Sequence, residues 1–202
     1  MGARARRIGV GFGVGLALTV GMGAEVVAQK SGSYIGFNVS KPYSSTAFGF
    51  DGRWSFGDGL WAVSGFGSAF TVGDVSSDAW LAETLVTRSL GDGLVTRNLF
   101  VGTGIRFNGT PGIPTEFAVP VVIGFKVPVI QAVGWDIGLI GHLGIARRQA
   151  GDETLFARTN RLGIEVDRGP FRFSISHDDA AGSNSPFNYG GAVRISFGFR
   201  MR

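Results

Sequence analysis

Residues 188–202, NYGGAVRISFGFRMR, decide the fold. One parity reads Tyr189, Val193, Ile195, Phe197, Phe199 and Met201, with Gly191 as its only gap. The other reads Gly190, Ala192, Arg194, Ser196, Gly198 and Arg200. Alternation held over so many residues is the period of a strand with two unlike faces. Its length matches the roughly 9–11 residues that a tilted strand needs to cross a bilayer. Hydrocarbon offers no water to backbone N–H and C=O groups, so strands cross it only as a closed barrel. The stretch therefore predicts an all-β chain, a closed antiparallel up-and-down transmembrane β-barrel.

Working outward, the same pattern recurs along the chain. Segment 33–40 sets Ile35, Phe37 and Val39 on one parity, and 47–56 sets Phe48, Phe50, Trp54 and Phe56 opposite Asp51 and Arg53. Segments 60–70 and 78–90 follow, with the poorest phase. In 94–107 the apolar parity opposes Arg106, in 115–127 it opposes Glu116 and Lys126, and after Trp135 it opposes Asp136, His142 and Arg148. Segment 154–167 places Phe156, Leu162, Ile164 and Val166 opposite Arg161 and Glu165, and Phe171, Phe173 and Ile175 oppose Arg172. That makes about ten strands; merging two weak segments would leave eight.

Connections carry their own signals. Gly57-Asp58-Gly59 and Gly91-Asp92-Gly93 have the chemistry of tight hairpins. Pro120 lies inside an alternating run and predicts a bulge or an edge-like irregularity there. Short turns alternate with longer loops, which puts both chain ends at the short-turn, periplasmic side. Trp54, Trp61 and Trp135 fall near short turns and Trp80 near a longer loop, as two interfacial aromatic girdles would require.

Composition narrows the class. Glycine makes up 34 of 202 residues with no triplet period, and phenylalanine (17) far outnumbers tyrosine (3). There is no cysteine, which excludes disulfides and zinc–thiolate sites. Residues 1–28 read as a secretory signal: Arg4, Arg6 and Arg7, an apolar body over 8–24, then Val26-Val27-Ala28 before Gln29. An uncleaved anchor is the competing reading. Residues 29–202 form the barrel domain. Without the leader's three arginines and Glu25, the 19 basic and 15 acidic residues become 16 and 14. No basic run or basic helix remains, so nucleic acid is not an expected partner.

A soluble barrel alternates too, with its apolar parity inward, and Gly52-Arg53-Trp54 resembles the Gly-x-Trp of lipocalins. A lipocalin-like periplasmic ligand binder is thus one alternative. The polar parity argues for the inverse arrangement. Its charges are isolated, of both signs, and separated by Gly, Ala and Ser, so they can pair inside a narrow barrel. The expected interior network is Asp51, Arg53, Arg106, Glu116, Lys126, Asp136, His142, Arg161, Glu165, Arg172 and Arg194, with Glu83 and Arg200 on the same parity.

Signal, alternating strands, absent cysteine and aromatic-rich last strand together make the chain resemble the small outer-membrane β-barrel proteins of Gram-negative bacteria. The resemblance implies an outer-membrane location, contact with lipid and lipopolysaccharide, and recognition of the last strand by the barrel-assembly machinery. In that class the final strand usually ends on an aromatic residue; here Phe197 and Phe199 fit, but Arg200-Met201-Arg202 follow.

Chemistry has few carriers. His142 lies among interior charges. His177 continues the apolar parity of Phe171, Phe173 and Ile175, which places it outside the barrel near the outer rim. With Asp179 and Ser183 it would suit acyl-ester hydrolysis on lipid A, and it faintly resembles the outer-membrane lipid A deacylases. Their motif puts serine two residues after the histidine; Asp179 occupies that position here. The reading is therefore a barrel with a structural or surface-interaction role or a narrow channel, without catalysis or cofactor, and the His177 hydrolase is the alternative.

Overall fold

A computed structural model describes residues 32–41, 46–71, 78–93, 95–110, 113–150, 153–180 and 189–201. The signal expected over 1–28 lies outside them, as does Ser183. The described chain folds into ten strands: β1 Tyr34–Lys41, β2 Ala47–Phe56, β3 Trp61–Thr71, β4 Asp78–Ser89, β5 Leu99–Thr110, β6 Ile113–Ala132, β7 Trp135–Ala150, β8 Glu153–Arg168, β9 Phe171–Ala180 and β10 Tyr189–Arg200. Each pairs with its sequence neighbours in antiparallel register, and β1 pairs with β10, so the sheet closes on itself. The number of strands is ten, not eight.

Register fixes the shape. In one direction Gly36 pairs with Gly198, Gly198 with Arg172, and Arg172 with Asp167 on β8. In the other, the path runs Gly36, Asp51, Phe66, Glu83, Arg106, Ala118, Arg148 and Leu155, also on β8. The two routes meet the same strand 167 − 155 = 12 residues apart. A stagger of that size over ten strands at standard spacings implies a tilt of about 40° and a backbone radius of about 10 Å. Such a barrel has room for side chains and little else.

The connections correct two expectations. The turn at 57–60 is tight, with Gly57, Asp58 and Gly59 all at positive φ and Leu60 N donating to Gly57 O at 3.0 Å. Gly91-Asp92-Gly93, however, does not close a tight hairpin. Residues 90–98 form a longer connection with a 3-10 turn at Thr96–Asn98, and Arg97 N donates to Gly93 O. Pro120 causes no register shift against β7, where it pairs with Ala146. Its buried ring faces inward, and Thr103 Oγ1 donates to its carbonyl at 2.9 Å. The β6–β7 irregularity lies instead at Pro128–Ile130. There the two-residue turn Val133-Gly134 has φ values of 43° and 82°, as a primed hairpin turn demands. Val133 is β-branched and 98% exposed, so this position carries strain with no packing in return.

Side-chain direction is the main result of the fold. Ile35, Phe37, Phe48, Phe50, Val121, Ile123, Leu143, Ile145, Phe156 and Leu162 all point outward and are exposed. Their neighbours in sequence point inward and are buried, among them Asn38, Glu83, Arg106, Glu116, Lys126, Glu165, Asp167, Arg172 and Arg194. The buried apolar residues are few and mostly small: Leu81, Leu85, Val122, Ala47, Ala62, Ala118, Ala146 and Ala192, with Phe66 packed against Leu81 and Ala192. This is the reverse of a water-soluble barrel, whose apolar parity fills the centre.

Candidate functional site in the barrel interior

Two ion-paired layers cross the interior. In the layer nearer the short turns, Arg172 on β9 holds Asp167 on β8 in a bidentate pair, Nε to Oδ1 at 2.7 Å and Nη2 to Oδ2 at 2.8 Å. Arg172 also approaches Glu165 at 3.4 Å, and Lys126 from β6 reaches the same carboxylate at 2.7 Å. The Arg172 guanidinium lies over the Tyr34 ring at 4.4 Å, and the Tyr34 hydroxyl donates to Asp51 at 3.1 Å. Arg200 stands 4.0 Å from Asp167. Six strands, β1, β2, β6, β8, β9 and β10, thus contribute to this one layer.

The layer nearer the longer loops is built on Glu83, Asp178 and Phe66. Arg106 Nε donates to Glu83 at 2.7 Å, and its Nη2 donates to Thr159 Oγ1 at 2.8 Å. Asp178 accepts from Arg161 at 2.6 Å and faces Arg194 at 3.0 Å. Both arginines stack over Phe66, at 5.5 Å and 3.7 Å. Each charge, with Arg161 the most exposed of the layer at 24%, is largely out of water. Its desolvation is offset only where geometry and hydrogen bonding are good, so losing one partner of such a pair is far costlier than losing both.

The structure brings together Asp51, Arg106, Lys126, Arg161, Glu165, Arg172 and Arg194 much as an interior network requires, and it places the rest at the margins. Glu116 is buried and accepts from Asn108 at 3.5 Å. Asp136 sits half-buried at the turn end of β7. Arg53 points inward with no ion pair among the described residues, and His142 is buried beside the upper layer. Asp167, Asp178, Tyr34 and Phe66 were missing from the expected network. Asp167 and Asp178 share the inward parity of Glu165 and Arg172, and Tyr34 lies on the parity opposite Ile35, Phe37 and Val39, signals present in the sequence; the inward turn of Phe66 had none, because β3 alternates poorly.

Between the layers lies a cavity of about 90 Å³, bordered by Tyr34, Asp51, Arg53, His142, Glu165 and Arg194 among others, and a smaller one of about 20 Å³ adjoins Arg106 and Asp178. The larger has room for a few waters. Asp51 Oδ1, Arg53 Nε and Arg194 Nε border it with no protein partner, as groups facing internal water do. Among the described residues no three acidic or histidine side chains converge as a metal site would need.

The four tryptophans lie on the outer face. Trp54, Trp61, Trp80 and Trp135 all point outward and are exposed. Trp80 covers Gly109, its direct partner, where a Cβ would collide with the indole. His177 is exposed on the apolar outer face between Leu162 and Val193. It lies six residues above the lower end of β9, about 15 Å along the barrel axis, level with Leu162, beyond which the next outward residues of β8 are Asn160 and Arg158. Its sequence neighbour Asp178 points the other way, into the arginine pair. Of the His177, Asp179 and Ser183 set, only the imidazole is thus placed.

Comparison with protein-family models, with curated proteins and with solved structures finds no match to this chain.

Proposed function

We propose that this chain is an outer-membrane β-barrel whose interior is closed by ion-paired side chains, and that it serves a structural or surface-interaction role and not as an open pore. The observation that carries the reading is the outward belt. On β8 the outward residues between Arg158 and Arg168 are Asn160, Leu162, Ile164 and Val166. The two arginines stand about 25 Å apart along the axis at a 40° tilt, the height expected of a lipid-facing apolar band. On β7 the outward run between Trp135 and Arg147 is Ile137, Leu139, Gly141, Leu143 and Ile145. Exposed rings and branched chains of this extent have a favourable solvent only in lipid.

Both described chain ends lie at the end of the barrel that carries the turns at 57–60, 133–134 and 169–170 and the longer connection at 90–98, the periplasmic side in this class of protein, while the opposite end has two-residue connections after β5 and β7 beside longer ones. The interior supports a plugged lumen: the small spaces within it are walled by Glu83, Arg161 and Arg194, and the Arg106–Glu83, Arg161–Asp178 and Arg172–Asp167 pairs fill the barrel around them. The test is an outer-membrane fraction run on a detergent gel, boiled and unboiled, followed by the purified barrel in a planar bilayer. The reading predicts faster migration of the unboiled band and no large, steady conductance. A soluble periplasmic band without a shift would contradict membrane residence, and ohmic open-pore steps would contradict the closed interior.

A further inference from the structure

The outer face carries one arrangement twice. On β4 Arg88 is the direct cross-strand partner of Trp61 on β3, and its guanidinium lies over the indole at 5.2 Å. On β8 Arg168 is the direct partner of Trp135 on β7, and its guanidinium lies over that indole at 4.5 Å. All four side chains are exposed. Both pairs sit beside the short-turn end, where the apolar belt stops. Neither arginine has an ion pair among the described residues, and every exposed charged side chain described on the strands is a cation: Lys41, Arg88, Arg147, Arg158 and Arg168.

Building on the membrane reading, we infer that Arg88–Trp61 and Arg168–Trp135 are two clamps for the phosphodiester of an anionic glycerophospholipid in the leaflet at the short-turn end. Stacking on an indole fixes the plane of the guanidinium and covers one face of it, while the N–H edge stays open. That edge matches two oxygens of a phosphate in a bidentate pair. The indole anchors at the boundary between acyl chains and headgroups, the depth at which the phosphate lies. A headgroup without an amine is favoured, because neither guanidinium has an acidic partner among the described residues to receive an ammonium, and the guanidinium itself repels one. Phosphatidylglycerol has the required chemistry; phosphatidylethanolamine and phosphatidylcholine carry the opposing charge.

The experiment uses the full barrel in a W54F/W80F background, so that fluorescence reports Trp61 and Trp135 alone. It is reconstituted in phosphatidylcholine vesicles containing brominated phosphatidylglycerol or, at equal mole fraction, brominated phosphatidylcholine. A basic residue near a charged surface contributes enough for about a fivefold preference, so quenching should show phosphatidylglycerol favoured several-fold next to these two indoles. R88Q/R168Q should reduce the preference to near one, and R147Q/R158Q, at the opposite end, should leave it intact. Equal quenching by the two lipids in the parent protein would overturn the clamps, as would a preference that survives R88Q/R168Q. Loss of the preference in R147Q/R158Q would also overturn them, by showing a diffuse charge effect. Insertion without preference removes the clamps alone, whereas failure to insert removes the membrane reading with them.

Discussion

The two faces of β8 differ more than most pairs of domains do. Inward, Arg161, Glu165 and Asp167 are locked into pairs with Asp178, Lys126 and Arg172. Outward, one residue away in each case, Leu162 and Ile164 stand exposed at 54% and 42%. In a water-soluble barrel the apolar face would pack the centre and the charges would meet solvent. Here both preferences are inverted, as the proposed membrane setting requires. The comparison teaches that apolar burial does not hold this barrel together from within. Backbone pairing closes the sheet, charge pairing fills it, and the apolar belt selects its surroundings.

That contrast can be broken from either side. The largest effect is expected inside. Asp167→Leu leaves the nearly fully buried Arg172 without its bidentate partner, a loss of about 3–5 kcal/mol, read as a lower urea midpoint in lipid vesicles. Asp167→Leu with Arg172→Leu should recover much of that loss, since the stranded charge is gone. A single variant as stable as the parent would refute the ion-paired interior. Somewhat smaller is the effect of one charge on the other face. Ile164→Arg should cost about 2–4 kcal/mol near the bilayer midplane. If it were neutral in vesicles, the belt would not be facing lipid.

Smallest is a change that touches neither face. Val133 occupies the first turn position at φ 43° with no packing contact to lose. Val133→Asn, which tolerates that conformation, should stabilise by about 1 kcal/mol. Because the turn lies beyond the belt, the gain should be the same in detergent and in vesicles. A gain in only one of them would tie this turn to the membrane surface and blur the separation of faces from ends.

Much of this was legible in the sequence wherever side chains alternated strictly. In β10, Val193, Ile195, Phe197 and Phe199 opposite Arg194, Ser196 and Gly198 state both the strand and its two faces. The charges of β8 could be assigned by parity alone, and Asp167 and Asp178 belong to the same reasoning carried to the strand ends. Where the two faces resemble each other, parity has nothing to sort. In β3, Phe66 points inward on the parity of Ala62 and Ser68, and in β4 the inward Leu81 and Leu85 flank Glu83. An aromatic ring under Arg161 and Arg194 is apolar in composition and polar in its contacts, so its direction depends on partners 161 − 66 = 95 and 194 − 66 = 128 residues away. The connection at 90–98 was misread for a local reason. Gly-Asp-Gly supports a tight turn in isolation, but β5 begins at Leu99, and the intervening residues turn around Thr96–Asn98 instead.

The chain's lack of cysteine makes the central claim directly measurable. Single cysteines placed in turn from position 160 to 168 of β8, spin-labelled in the reconstituted protein, report the solvent at each step. The account predicts a period of two: Leu162→Cys, Ile164→Cys and Val166→Cys accessible to oxygen dissolved in lipid and shielded from a water-soluble paramagnetic reagent, with Gly163→Cys and Glu165→Cys immobile and shielded from lipid. The opposite phase, with the even positions in contact with water, would contradict it.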